Sequence, residues 1–224
     1  MKKIGFTLAE VLITLGIVGV VAALVMPGVI IKTQEQTLRS QRLKAVNNLA
    51  NGIKLSEAHA DGSMESIPLL NCFANSFGTA EYEPCLDNAI KDMFNPLYTK
   101  YSDSDRMSLM SVDYRNFDGS DMGEINWGTL PDAAFVTKDG ALFDLGYSAT
   151  TDIPGVPGGL FYLDVNGIKG PNAVGKDFFI GGYTFSGRVE LGIPGPDEAQ
   201  CATIKGTTWD TNSGTPMCMA TPAY

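Results

Sequence analysis

The sequence predicts an α+β fold, in which a long amino-terminal helix packs on an antiparallel sheet of about four strands. An uncharged run from Val11 to Ile31 continues into apolar residues spaced mostly three to five positions apart, which is the period of a helix. After Ala133 the apolar residues fall in short stretches between turn signals, which is typical of antiparallel strands.

The uncharged run is long enough to cross a membrane. Its 21 residues would make a helix of about 31 Å, against a hydrocarbon core of roughly 30 Å. Lys2 and Lys3 flank the amino side of this run, and the positive-inside rule keeps such lysines in the cytoplasm. We therefore expect the body of the protein to lie outside the cytoplasm.

A secretory signal peptide is the alternative for this segment. It fits poorly, because the apolar stretch is too long and Glu10 interrupts its start. The Ala22-Ala23 region is also not followed by the small-x-small pattern of a cleavage site.

The helix is expected to continue past the membrane segment as an amphipathic helix over residues 32–60, with Asp61-Gly62 as its stop. A shorter helix is predicted from about Pro84 to Phe94, where Asn95-Pro96 ends it. We expect the apolar stripe of the amphipathic helix to pack on the protein's own sheet. Its members are Leu38, Leu43, Val46, Leu49, Ala50 and Ile53.

The strand pattern occurs in several stretches joined by turn residues. Ala133 to Thr137 and Ala141 to Leu145 flank Lys138-Asp139-Gly140, which has the Asp-Gly chemistry that tight turns favour. Ser186-Gly187 marks another turn. The other strand candidates are Leu160 to Val165, Phe178 to Phe185 and Arg188 to Leu191.

The charge is unevenly divided along the chain. Residues 1–60 carry seven basic and three acidic side chains, a balance of +4, while residues 61–224 carry nine and 22, which gives 9 − 22 = −13. An acidic body repels phosphate backbones, so we expect it to bind no nucleic acid and to favour cations.

One short stretch follows a very short basic leader and carries the clearest motif, Gly5-Phe6-Thr7-Leu8-Ala9-Glu10-Val11-Leu12. It resembles the amino terminus of type IV pilins and type II secretion pseudopilins. The resemblance covers about the first thirty residues and is architectural beyond them.

The resemblance implies that a membrane-embedded prepilin peptidase cuts between Gly5 and Phe6 and methylates the new amine of Phe6. Glu10 then becomes the fifth residue of the mature chain, and Pro27 falls at position 22, where the family commonly has proline. The implied segments are a leader (1–5), a transmembrane and assembly helix (6–31), its amphipathic continuation (32–60) and a head (61–224).

Glu10 is costly in an apolar run, because a carboxylate near the bilayer centre costs roughly 2.5–3.5 kcal/mol. One explanation is a docking charge that neutralises the amine of Phe6 on a neighbouring subunit as subunits pack. The alternative is a partner within its own chain, one helical turn away and near the positive end of the helix dipole.

Pro27 and its neighbouring glycines weaken the middle of the apolar helix. Proline removes a backbone donor, and each glycine costs about 1 kcal/mol relative to alanine. In filaments of the resembling family this region can become locally non-helical. Glycine and proline are also common in membrane helices without such a role. The glycines concerned are Gly16, Gly19 and Gly28.

The four cysteines form two close pairs in the sequence, Cys72 with Cys85 and Cys201 with Cys218. An even count in an exported domain indicates disulfides, and of the three possible connectivities the two local loops are the simplest. Pilins often close a carboxy-terminal loop with a disulfide, and Cys201–Cys218 would enclose such a loop. Neither pair has the C-x-x-C spacing of a zinc or redox site.

Asp164, Asn166 and Asp177 are the candidate metal ligands, since they offer hard oxygen atoms in a glycine-rich loop of an acidic domain. Some pseudopilins bind calcium in such loops. The spacing does not fit the twelve-residue calcium loop, because Ile168 occupies its fifth position and no glutamate closes it. The alternative is a tight turn at Asn166-Gly167 between two strands.

The sequence contains no motif of an enzyme. The single histidine, His59, has no nucleophile partner that the sequence reveals, and the common hydrolase, metalloprotease and phosphate-loop patterns are absent. We expect no catalytic residues and no cofactor other than a candidate calcium ion.

We therefore expect a prepilin-like subunit of the bacterial inner membrane that polymerises into a pilus or a periplasmic secretion pseudopilus. Its partners would be the prepilin peptidase, other pilin or pseudopilin subunits and an inner-membrane assembly platform. The alternative is a monomeric, membrane-anchored binding module with an acidic, calcium-binding head.

Overall fold

The computed structural model describes residues 7–61, 66–75, 79–100, 112–121, 133–148, 158–193, 198–203, 207–210 and 217–220. The chain forms two compact units, Met1–Arg39 and Ser40–Tyr224, which are taken separately. The helices are α1 (Leu8–Ala58), α2 (Pro68–Asn75), α3 (Tyr82–Phe94) and α4 (Glu198–Thr203). The strands are β1 (Tyr98–Lys100), β2 (Ala133–Val136), β3 (Leu142–Ser148), β4 (Gly158–Asp164), β5 (Phe178–Thr184), β6 (Val189–Ile193), β7 (Thr207–Asp210) and β8 (Met217–Ala220).

The first unit is the amino-terminal part of α1, and its large apolar side chains lie open. From Leu8 to Ile31 these side chains are 44% to 79% exposed. The most apolar 18-residue window of α1 has a mean hydropathy of 2.5, and nothing in the described chain buries it. By length and composition, α1 is the one described helix that could cross a membrane.

Pro27 lies inside α1 without breaking it. The helix is continuous over its 51 residues, although proline has no N–H to give to the carbonyl of Ala23 four residues earlier. Two turns further on, the hydroxyl of Thr33 donates to the carbonyl of Val29 at 2.8 Å. The predicted weak point is therefore one missing backbone hydrogen bond within an intact helix.

The α+β fold class is confirmed in the second unit, where one antiparallel sheet has the order β1-β2-β3-β4-β5-β6-β8-β7. Eight described strands exceed the predicted number of about four. The five predicted stretches correspond to β2 through β6, with bounds that differ by at most three residues. The strands that the prediction missed, β1, β7 and β8, have only three or four residues each, too few to establish an alternating pattern.

One face of the sheet is an aromatic core. Tyr183 on β5 stands opposite Gly159 on β4, and its hydroxyl donates to the carbonyl of Gly146 on β3 at 3.1 Å. A Cβ on Gly159 would lie 2.7 Å from that ring, so the glycine makes room for it. Aromatic rings that cover cross-strand glycines tie neighbouring strands together. The fully buried aromatic side chains of this face are Phe135, Phe143, Phe161, Phe179 and Tyr183.

The carboxyl-terminal part of α1 packs within the second unit along a stripe spaced at three and four residues. The predicted stripe is correct at Leu49 and Ile53, whereas the other predicted members are only half buried. The guanidinium carbon of Arg42 lies 5.2 Å from the centre of the Phe179 ring, which joins the helix to β5. The fully buried positions are Ala45, Leu49, Gly52, Ile53 and Ser56.

Helix α2 was not predicted, because its eight residues are short and have no polar cap in the sequence. It is joined to α3 by the disulfide Cys72–Cys85. Helix α3 begins two residues earlier than expected and ends where predicted, at Asn95, whose positive φ of 43° places it in the left-handed region. Local burial and a covalent link therefore fix this helical pair.

We predict that Gly52→Ala destabilises the second unit. A Cβ at this position would lie 2.4 Å from the Phe94 ring, which is itself stacked on Phe135 at 4.8 Å and so cannot move freely. Overpacking of this kind costs about 1–3 kcal/mol, offset by about 1 kcal/mol of helix propensity. Urea unfolding of the full chain in detergent micelles measures the difference.

Gly170→Ala is the matched control, because the nearest atom to its Cβ lies 4.0 Å away. We expect this variant to unfold at the same urea concentration as the wild type. Equal stability of both variants would contradict the close packing of α1 on Phe94.

Candidate functional site

The predicted site residues fall into separate groups and do not form one site. Gly5 and Phe6 lie outside the described residues. Glu10 and Pro27 belong to α1 in the first unit. The remaining predicted residues, which are Cys72, Cys85, Asp164, Asn166, Asp177, Cys201 and Cys218, belong to the second unit.

Glu10 is held by its own helix. Its Oε2 accepts two hydrogen bonds from Thr7, one from the backbone N–H and one from the hydroxyl, both at 2.8 Å. In return the backbone N–H of Glu10 donates to the Thr7 hydroxyl at 3.3 Å. Reciprocal bonds between an N-cap threonine and a glutamate three residues later form a capping box. The carboxylate therefore has a partner within its own chain.

Thr7 is the partner of Glu10 that the sequence analysis did not identify. The pattern Thr-x-x-Glu ahead of an apolar run is a known signature of a helix start, and it is present at Thr7 to Glu10. A carboxylate at this position also lies near the positive end of the helix dipole. Since a carboxylate can accept about four hydrogen bonds, the cap leaves Glu10 able to receive a cationic partner as well.

The glycines of the same helix have open surroundings. A Cβ built on Gly16, Gly19 or Gly28 would meet no atom within 4 Å. The described chain therefore gives these glycines no packing role of its own. Close approach of another helix would be a different reason for small residues here.

Two disulfides are present, Cys72–Cys85 and Cys201–Cys218, which are the two local pairings of the sequence analysis. The second joins α4 to β8 and so links this helix to the sheet. Loop closure of this size stabilises a fold by about 3 kcal/mol.

The candidate metal ligands lie around a buried tyrosine, Tyr114, which no sequence pattern singled out. The hydroxyl of Tyr114 donates to Oδ2 of Asp164 at 2.9 Å, across 50 positions of sequence. Oδ1 of Asp164 accepts the backbone N–H of Asn166 at 3.1 Å. Both Tyr114 and Asp164 are only 1% exposed. The bond fastens the segment 112–121 to the end of β4.

Asp177 organises the connection between β4 and β5. Its Oδ1 accepts the N–H of Ala173 at 2.7 Å, and its Oδ2 accepts the N–H of Asn172 at 2.8 Å. Asn166 begins the same connection, and Gly167 there has a positive φ of 65°. The predicted turn at Asn166-Gly167 is present, but the whole connection extends from residue 165 to residue 177.

This geometry favours the turn over the calcium site. The oxygens of Asp164 and Asp177 face N–H and O–H donors, whereas a calcium ion needs acceptor oxygens directed at it. Among the described residues, no three His, Cys, Asp or Glu side chains are grouped to hold a metal ion. The carboxylates act as acceptors for the local backbone.

Burial changes the protonation of the cluster formed by Tyr114, Asp164 and Asp177. Burial, reinforced by the nearby charge of Asp177, raises the pKa of Asp164 to about 7, although the hydrogen bond from Tyr114 opposes the rise. Burial also raises the pKa of Asp177, against the N–H donors of Ala173 and Asn172. The pKa of Tyr114 is raised by burial and by Asp164, so its hydroxyl remains a donor. We infer that Asp164 is protonated in mildly acidic solution.

The single histidine forms an exposed pair. Nδ1 of His59 lies 3.4 Å from Oδ2 of Asp92, and the two side chains are 48% and 72% exposed.

Comparison of the chain with models of protein families, with curated proteins and with solved structures found no match. The resemblance to pilins and pseudopilins therefore rests on the amino-terminal motif alone.

We predict that Asp164 makes the protein less stable as the pH rises. The folded state raises the pKa of Asp164 from 3.8 to about 7. Between these two pH values the native protein therefore keeps a proton that the unfolded chain has lost. The contribution of this proton to the free energy of unfolding is complete below about pH 4 and is lost as the pH rises through about 7. The free energy of unfolding changes by at most about 4 kcal/mol over this range. Asp164→Asn should remove this decline.

Urea unfolding of wild type and Asp164→Asn from pH 4 to pH 8 measures the effect, with near-ultraviolet circular dichroism as the signal. Asp118→Asn is the control, because this exposed carboxylate has a pKa held below its usual range by Ser120. The control should keep the decline of the wild type. The same pH profile in wild type and Asp164→Asn would contradict the inferred protonation.

Proposed function

We propose that the protein is a prepilin-like subunit, inserted in the bacterial inner membrane, cut after Gly5 and polymerised into a pilus-like filament or a periplasmic secretion pseudopilus. The observation that carries the proposal is the open apolar helix from Leu8 to Ile31, which has one capped carboxylate, Glu10, at its start. The motif resemblance around Gly5 gives this observation its specific meaning.

The apolar helix needs an apolar environment that the described chain does not supply. Its large side chains are exposed over more than five turns, far beyond the scattered apolar residues that are normal on a protein surface. Lipid can cover them before assembly, and the helices of neighbouring subunits can cover them afterwards. A subunit that moves from a bilayer into a filament would use the same surface in both states.

Glu10 would fix the axial position of each subunit relative to its neighbour during this transfer. Within the bilayer, the hydrogen bonds from Thr7 offset part of the cost of the carboxylate. In a filament, the cationic amine of Phe6 on a neighbouring subunit would neutralise it. An ion pair in an apolar setting is strongly destabilised when one partner is absent, so only one axial position of the neighbour would satisfy both charges.

The location of the head follows from two independent arguments. The lysines ahead of the helix favour a cytoplasmic amino terminus, which sends the head outward. Two disulfides within one small domain are typical of an oxidising compartment outside the cytoplasm. We therefore propose an extracytoplasmic head, with the prepilin peptidase, other subunits and an inner-membrane assembly platform as partners.

The function is assembly and not catalysis in this proposal. A monomeric, membrane-anchored binding module would share the helix and the head but would not be processed or polymerised. Processing and filament formation therefore distinguish the two functions.

We predict that the mature protein lacks Met1 to Gly5 and carries one additional methyl group, and that Gly5→Leu blocks this maturation. A peptidase that cuts this bond needs a small residue to bring its catalytic carboxylates close. Intact-mass spectrometry of membrane-extracted wild type and variant measures both outcomes. An identical mature mass for the two proteins would show that the cleavage site is wrong.

We predict that Glu10→Val is inserted and processed but forms few or no filaments. Removing the carboxylate eases insertion, and the cut bond lies several residues away, whereas the amine of a neighbouring Phe6 loses its counter-charge. The variant is expressed as the sole copy, and mature mass and sheared filament yield are measured together.

Glu10→Gln separates the charge from the cap. Glutamine can still form the capping box with Thr7 but carries no charge. If the charge docks the neighbouring subunit, this variant should fail to assemble as Glu10→Val does. Normal filament yield from Glu10→Gln would mean that Glu10 acts only within its own helix.

A further inference from the structure

Helix α1 crosses the second unit from one end of the sheet to the other. Nζ of Lys44 lies 3.1 Å from Oδ2 of Asp139, in the turn between β2 and β3. Ten residues later, the stem of Lys54 lies against Gly187, in the turn between β5 and β6. The helix therefore enters the unit beside the β2–β3 turn. We name that end of the sheet the entry end, and the end at residues 185–188 the far end.

Two connections form the entry end, the β2–β3 turn (137–141) and the β4–β5 connection (165–177). They touch, because a Cβ on Gly167 would lie 2.8 Å from the carbonyl oxygen of Gly140. Strand β1 begins at the same end, since Tyr98 pairs with Val136, the last residue of β2. The entry end is thus a continuous edge from β1 to β5.

Exposed apolar side chains are concentrated at this edge. Among the described residues of the second unit, four large apolar side chains are exposed, and three of them lie at the entry end. Ile168 is 64% exposed, Leu97 59% and Tyr98 48%. The fourth, Leu55, lies on α1 towards the far end. Within the described residues of the second unit, the entry end therefore carries most of the exposed large apolar side chains, and such exposure can mark a contact surface.

Exposed cations accompany these apolar residues. Lys138 is in the β2–β3 turn, and Lys169 and Lys176 are in the β4–β5 connection, all three exposed. The carboxylates of the same connections are occupied, because Asp139 pairs with Lys44 and Asp177 is buried.

Among the described residues, further charges near the entry end are those of the segment 112–121 and of Asp87, which pairs with Lys91 and accepts a hydrogen bond from Thr99 on β1 at 2.9 Å. The backbone of Arg115 in segment 112–121 is hydrogen-bonded to Asn172 and Val174. The exposed carboxylates of this segment therefore lie beside the later part of the β4–β5 connection. These carboxylates limit the cationic surface to the side on which Lys138 and Lys169 lie. The exposed charged residues of the segment are Asp113, Arg115, Asp118 and Asp121.

We propose that the entry end docks on the headgroups of anionic phospholipids, with Ile168 and Tyr98 at the level of the headgroups and Lys138 and Lys169 facing the phosphates. This inference rests on the proposed membrane insertion of α1. Apolar and aromatic side chains next to lysines are the combination that prefers a membrane interface. Lysines near an anionic surface add attraction in an acidic head that this surface would otherwise repel.

The chain length keeps the bilayer within reach. Eight residues, 32–39, lie between Ile31, the last residue of the apolar run, and Ser40, the first residue of the second unit, which makes 40 − 31 = 9 residue steps. Even fully extended they span at most about 32 Å. These residues are part of α1, and the short connection keeps the entry end close to the membrane surface, so a weak contact is sufficient.

The experiment uses the full chain in vesicles with a single labelled cysteine. Ile168→Cys carries an environment-sensitive fluorophore at the entry end, and Ser186→Cys carries it at the exposed far end as the matched control. The vesicles contain phosphatidylcholine alone or with about one quarter phosphatidylglycerol, whose charge supplies the attraction. A quencher attached to the lipid headgroup reports contact, and flotation reports insertion.

We expect both labelled proteins to float with the vesicles. The label at position 168 should shift to shorter wavelength and be quenched more in anionic than in neutral vesicles, while the label at position 186 should show neither change. Lys138→Glu with Lys169→Glu should reduce the quenching at position 168 to its value in neutral vesicles.

Each other outcome overturns the inference. Floating protein with equal quenching at positions 168 and 186, or equal quenching in both kinds of vesicle, removes the lipid contact and leaves the proposed insertion intact. If the wavelength shift at position 168 depends on the number of protein copies per vesicle and not on lipid charge, a second copy covers the entry end. Protein that does not float contradicts the proposed function itself and the lipid contact with it.

Discussion

The burial of one helix against an aromatic sheet face is the interaction on which the second unit depends. Leu49 and Ile53 are completely buried, and Gly52 between them admits the ring of Phe94, which is stacked on Phe135. The same helix has no such partner at its amino-terminal part, where every large apolar side chain is exposed. A single continuous backbone thus serves a protein core at one end and, in the proposed function, a lipid or filament environment at the other.

Much of the fold was predictable because its signals are local. The helix, the central strands and the Asp139-Gly140 and Ser186-Gly187 turns follow from spacing and turn chemistry, and Gly140 and Gly187 have the positive φ that such turns need. The short strands β1, β7 and β8 were not predictable, since pairing with a longer neighbour and not their own pattern defines them. Helix α2 likewise owes its position to packing and to a disulfide.

The candidate sites show the same division between local and distant information. The bond between Thr7 and Glu10 spans three positions and could have been predicted from the Thr-x-x-Glu pattern. The bond between Tyr114 and Asp164 spans 50 positions, so no local sequence pattern predicts it. Asp164 and Asp177 were selected for the correct reason, their oxygen atoms in a glycine-rich loop, but the donors around them are backbone N–H groups and a tyrosine hydroxyl.

Within the part of the chain that the structure describes, the sheet ends on both sides in short strands, β1 with three residues and β7 with four. A long, flat outer strand offers unpaired backbone groups to any neighbouring chain. In the proposed function, many copies tethered to one membrane would meet often enough to pair through such a strand. Short outer strands leave little template for such pairing. Self-association of the heads by strand addition is thereby disfavoured, and in the proposed function contact between copies is left to the helix, where a single charge would set the order.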